Sequence, residues 1–303
     1  MKKQLIKKYF IFIAYMLIGA IAGGGIAYSL SSIEFPAEYR AFPFYVNLLI
    51  VACTYFMAVA FHEFGHAFSF SRNGVKVRAV IVMFLFFIKE NGRWKVKFRP
   101  NKLTAIGGIA IPDIRAIKDQ ADLEETQRAY AKAIIAGPVS SIMLWAGVTV
   151  LSVLIFFTAT NAVLLSTTFT VMMSLTVITI FLLATSFIKN EYAVGDFPAY
   201  KLAKNDRFFI AMQLYQYALF ATEHERVRNE NQYLRTVLLE ELETKLQERN
   251  NHIYTLGLVD HFIIEHLTGR IEQMPSVIVD YVDYLQEDEE RLAKIKATDF
   301  GLS

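Results

Sequence analysis

Four stretches of the chain are almost purely apolar: Tyr9–Leu30, Phe44–Phe70, Tyr130–Phe157 and Ala162–Ile188. Each is near or above the roughly 20 residues that a helix needs to cross the hydrocarbon core of a bilayer. Between the second and third the period changes. Val75–Lys89 is a β-branched and aromatic run, followed by the turn pair Asn91-Gly92. In Arg93–Arg99 the apolar Trp94, Val96 and Phe98 then alternate with Lys95, Lys97 and Arg99. Asn-Gly between extended runs predicts a β-hairpin whose second strand has one apolar and one cationic face. Such a ribbon suits the surface of an anionic membrane. A cytoplasmic hairpin packed on its own chain fits the pattern equally well. Ile106-Gly107-Gly108-Ile109 reads as strand or loop with a close backbone approach, and Asp113–Gln127 as a polar helical lead into the third span.

Beyond Pro198 helical periodicity returns with charged outer faces, over Arg207–Ala221, Arg226–Arg249, Leu258–Gly269 and Val277–Lys296. The expected architecture is a mainly α, polytopic membrane protein with about four transmembrane helices. Residues 1–43 form an N-terminal anchor and short external loop, and residues 44–200 a membrane core that includes a β-hairpin within 75–112. Residues 201–303 form a cytoplasmic helical domain.

Composition agrees with the pattern: 54% of the 303 residues are hydrophobic, more than a soluble domain of this size needs. Charge is divided along the chain. Residues 1–199 carry 19 Lys/Arg against 11 Asp/Glu, and residues 200–303 carry 12 against 18. The loops rich in Lys and Arg alternate with poor ones through all four spans, which places both termini and the long middle loop in the cytoplasm. Four lysines precede the first apolar stretch, as in a signal peptide, but its length and the three following spans favour a retained anchor. The single cysteine, Cys53, excludes a disulfide framework and is expected to be a small buried hydrophobe. No nucleic-acid partner is expected.

One pentad breaks an otherwise uncharged span: His62-Glu63-Phe64-Gly65-His66. On a helix, positions i and i+4 share a face, so both imidazoles can reach one Zn²⁺. Glu63 lies about 100° round the helix, where it can take a proton from an activated water. Ionisable residues at membrane depth are costly and point to function. A catalytic zinc needs a third protein ligand and an open position. Asp196, directly after the fourth span, lies at the right depth; Glu191 is the alternative, and a helix-end cap is the plain structural role for Asp196. His224, His252, His261 and His266 all fall in the acidic tail, and the last two read as packing or surface histidines. Ala136-Gly137-Pro138, early in the third span, predicts a kink or a tight helix contact.

Together these pieces resemble the site-2 protease family of intramembrane zinc metalloproteases. The resemblance rests on His62–His66 with Ala67, on Gly74-Val75-Lys76-Val77, Gly107-Gly108 and Ala136-Gly137-Pro138, and on an Asp-bearing motif after the last core helix, in that order over about residues 44–200. It implies one Zn²⁺ per chain held by His62, His66 and Asp196, with Glu63 as general base and Gly107 and Gly108 beside the substrate. It also implies a membrane-associated β element whose edge receives substrate as an added strand. The chain departs from the family's usual pattern in placing Gly195 before Asp196 and Phe197 after it, and in carrying Ser140 and Ser141 where an Asn often follows Gly-Pro. The expected function is hydrolysis of a transmembrane or signal-peptide-like protein segment near the cytoplasmic face of a bacterial membrane. An inactive protease-fold scaffold or peptide-maturation partner is the alternative. The C-terminal helices are expected to dock a cytoplasmic partner.

Overall fold

A computed structural model describes residue 39 and residues 41–90, 92–99, 107–189, 194–219, 230–248 and 253–286. Three helices in it are long and apolar enough to cross a membrane: α1 (Phe44–Arg72), α2 (Gln120–Thr158) and α3 (Ala162–Ser186). In their most apolar windows only 17, 11 and 22% of residues are buried, so most of this greasy surface faces outward. Apolar surface on that scale is tolerated in hydrocarbon and not in water. The protein is an integral membrane protein. The expected span Tyr9–Leu30 lies outside the described residues.

Between α1 and α2 stand β1 (Lys76–Val82), β2 (Leu85–Glu90), β3 (Arg93–Phe98) and β4 (Gly108–Asp113), an antiparallel sheet in the order β3-β2-β1-β4. The expected hairpin is β2–β3, closed by the pairing of Glu90 with Arg93 next to Gly92, whose φ is 77°. The run read as one extended segment, Val75–Lys89, is two strands. It folds back between Val82 and Leu85, which pair across a turn with Met83 at φ 54°. No Gly or Asn marks that turn, and the tertiary pairing of β1 with both β2 and β4 outweighs the local cost at Met83. On the inner face Val80 and Val82 are fully buried.

The expected polar lead Asp113–Gln127 is also divided. β4 takes Asp113, and α2 starts at Gln120, where the Asp119 carboxylate accepts the Asp122 backbone N–H at 2.9 Å. From there α2 runs 39 residues, with Pro138 inside it. Cys53 is exposed, not buried as expected: it lies on the outer surface of a span, where a small apolar side chain can meet lipid.

After α3 come α4 (Asp196–Asn205), α5 (Arg207–Leu219), α6 (Gln232–Gln247), α7 (Ile253–Leu267) and α8 (Ser276–Gln286). The last four overlap the periodic stretches of the sequence; α7 begins five residues before the expected Leu258, and α8 one before Val277. α4 was unforeseen; its Pro198 sits in the first turn, where the missing N–H costs no helical hydrogen bond. One continuous hydrophobic core runs from Val59 on α1 through Val80 and Tyr130 to Ile210, Leu238 and Phe262. The helices after α4 are therefore built onto the sheet and the inner ends of the spans.

Candidate metal centre

His62 and His66 lie one turn apart on α1, their rings edge to face with centroids 4.9 Å apart. The chain returns to them after α3. Gly195 N–H donates to Ile188 O at 2.7 Å, and a bridge joins Lys189 to Val194, folding the connection back so that α4 opens with Asp196. A β-carbon on Gly195 would press into the Ser186 carbonyl, so this close return requires glycine. Asp196 Oδ2 is then 3.2 Å from His62 Nε2, and Oδ1 is 3.8 Å from His66 Nε2. One donor atom from each residue lies within 4.8 Å of the others. Four ligands about 2.0–2.2 Å from a tetrahedral zinc sit about 3.3–3.6 Å apart. The donor set fits a metal with small shifts and leaves a fourth position open.

Each donor has a further partner, and for the two histidines it lies on the far side of the ring. His66 Nδ1 is 2.8 Å from the Ala133 carbonyl oxygen, which can only accept. The proton is thereby fixed on Nδ1, and the Nε2 lone pair faces the site. His62 Nδ1 meets Ser141 Oγ at 3.0 Å, and Ser186 Oγ donates to Asp196 Oδ2 at 2.9 Å. Such outer partners orient ligands and raise metal affinity. Burial pushes the Asp196 carboxyl up, but its contacts with His62, His66 and Ser186 more than reverse this and hold it below the ordinary carboxylate range. An anionic carboxylate at the first turn of α4 also suits the positive end of the helix dipole. Gly137 forms the floor: a β-carbon there would strike both imidazoles.

Glu63 is buried beside the triad, where the Ala110 backbone amide donates to its carboxyl. Gly108 gives it room, since a β-carbon at 108 would overlap the Glu63 side chain. Two recesses meet at this point. A membrane-side recess of about 280 Å³ is lined by Val59, Gly107, Phe181, Leu182 and Thr185. An inner recess of about 340 Å³ is lined by Phe70, Ile109, Tyr130, Phe209, Gln213 and Tyr217. His62, Glu63, Gly108 and Asp196 line both.

Of the residues singled out in the sequence, His62, Glu63, His66, Gly107, Gly108 and Asp196 converge here. Glu191, His224 and His252 lie outside the described residues. His261 and His266 belong to α7, where they contact Glu265 and the Ile271 backbone. Sequence reading missed Ser186 and the α5 residues. Gly137 and Ser141 were noticed as parts of a motif, without the contacts that explain them.

No curated protein and no solved structure matches the chain. A family model does: that of peptidase family M50 matches residues 50–286. That span contains every residue of the centre, and the chain belongs to peptidase family M50, the site-2 protease family of membrane metalloproteases.

Proposed function

We propose that this protein is an intramembrane zinc endopeptidase that cleaves a transmembrane or signal-peptide-like segment near the cytoplasmic face. The observation that carries this reading is the convergence of the His62, His66 and Asp196 donor atoms beside a buried carboxyl group. Zinc held by these three residues would polarise the scissile carbonyl and make water nucleophilic at neutral pH. Glu63 takes the proton of the attacking water and passes it to the leaving amine. Its carboxylate is kept in place by the Ala110 amide and by the open space at Gly108. A helical peptide hides its carbonyls in its own hydrogen bonds, so substrate must be extended at the site. β4, at the edge of the sheet and in the wall of both recesses, supports an added strand.

The test is zinc content of detergent-purified protein together with cleavage of a membrane-anchored reporter. We expect one zinc per chain, lost in His62→Ala and Asp196→Ala. Glu63→Gln should keep zinc and cleave about 10³-fold more slowly. A zinc-free wild type, after expression in zinc-replete medium, would instead support the scaffold alternative.

A further inference from the structure

Helix α5 follows α4 after a single residue and carries Phe209, Gln213 and Tyr217 at i, i+4 and i+8. That spacing lays three side chains along one face of a helix. All three line the inner recess, opposite the Gly108–Ala110 stretch of β4. The wall is aromatic: Phe70 and Tyr130 have ring centroids 5.9 Å apart, and Tyr130 and Tyr217 6.0 Å apart. One polar group is set into it. Tyr130 Oη–H donates to Gln213 Oε1 at 3.0 Å, which turns the carboxamide. The Gln213 amide nitrogen then meets only the Met212 sulfur, at 3.8 Å, among the described residues. Sulfur is a weak acceptor, so donor capacity remains on a half-buried amide. Away from the His62, Glu63, His66 and Asp196 side chains that line the same recess, this wall sets one oriented amide among aromatic rings, a make-up suited to selecting a ligand.

We propose that Tyr217, Phe209 and Gln213 of α5, with Tyr130 and Phe70, form a substrate subsite that takes an aromatic side chain next to the scissile bond. Gln213 donates to a backbone carbonyl of the same residue. This rests on the peptidase reading above, and it deepens that reading by giving the C-terminal helices a part in sequence selection. Tyr217 shapes the pocket for the side chain; Gln213 holds the peptide backbone whatever the side chain is.

The test uses full-length protein in detergent and two fluorescein-labelled dipeptidyl hydroxamates, one with Phe and one with Gly beside the hydroxamate. Binding is read by anisotropy, and zinc content is measured in every sample. Wild type should bind the Phe probe about tenfold more tightly than the Gly probe, the size expected for an aromatic anchor in a fitted pocket. Tyr217→Ala should bring the two within about threefold while zinc stays at one per chain. Gln213→Ala should weaken both probes alike, by about three- to tenfold, because the lost contact is to backbone. If Tyr217→Ala loses zinc through misfolding, Tyr217→Leu replaces it and should bring the Phe preference down partway. A zinc-bearing wild type with no Phe preference, or a Tyr217 variant that keeps zinc and the full preference, overturns the subsite alone. A wild type without zinc that binds neither probe overturns the catalytic reading and the subsite with it.

Discussion

The two recesses that meet at Glu63 are built from different parts of the chain. The membrane-side recess draws on α1, α3, the Gly107-Gly108 step and the return to Asp196, with Phe181, Leu182 and Thr185 as its wall. The inner recess adds α2 and a helix from the C-terminal part, and its wall carries the rings of Phe70, Tyr130, Phe209 and Tyr217. On the peptidase reading a hydrophobic segment would enter through the first, past Val59, Phe181 and Leu182. The proposed subsite lies in the second, whose wall residues Phe70, Tyr130 and Phe209 belong to the main core. On the proposed reading, chemistry would sit between an entrance from the spans and the subsite assigned to α5.

The largest effect should come from Gly137, which packs against the two imidazoles that face the recesses. Gly137→Ala puts a methyl group against both imidazoles and should lower zinc affinity about 100-fold or more, measured by chelator competition. Alanine is the better helix former by about 1 kcal/mol, so the helix itself should not suffer. Unchanged zinc affinity would mean that the rings do not hold the described positions.

Next comes the wall at β4. Gly108→Ala crowds the Glu63 side chain and the Ile81 carbonyl, and these, not His62, His66 or Asp196, are the nearest groups. Cleavage should fall about 100-fold with zinc content intact, within the range attributed to a misplaced general base. Loss of zinc instead would show that Gly108 supports the donors themselves.

A smaller effect separates the two histidines. Ser141→Ala leaves the buried His62 Nδ1 without its partner and should weaken zinc about tenfold, with Ser141→Thr restoring most of it. His66 is oriented by a backbone carbonyl, which no side-chain substitution removes. Equal affinity in wild type and Ser141→Ala would assign the orientation of His62 to packing alone.

The smallest effect lies away from both recesses. Lys97 and Lys95 hold the Glu90 carboxyl down to about 2. Its folded value is below the unfolded one, so the contribution of the pairs is present above ordinary carboxylate pH. It is lost as pH falls through about 2. Carboxyl-carbon NMR should find this group titrating well below its neighbours. Glu90→Gln should leave zinc content and cleavage within about twofold of wild type, since exposed ion pairs contribute little.

Much of the centre was legible because its chemistry is expensive in its setting. A charged pentad inside an apolar span has few structural uses, and i, i+4 spacing alone places His62 and His66 on one face. Asp196 could be singled out by depth, but its contact with the histidines depends on a ten-residue return after Ser186 that carries no periodic signal. The sheet was half legible. Asn91-Gly92 announced one turn, whereas the turn at Met83 has no residue that favours it and exists because β1 is paired on both sides.

By itself, then, the sequence determined the apolar spans, the β2–β3 hairpin, the His-Glu-x-x-His pentad and the helical character of the C-terminal part. All of these follow from local periodicity or from the cost of charge in hydrocarbon. Only the tertiary structure decided which serine faces His62, why residue 137 must lack a side chain, and that α5 forms a wall of the site. Those depend on distances between segments tens of residues apart, set by packing that no local pattern encodes.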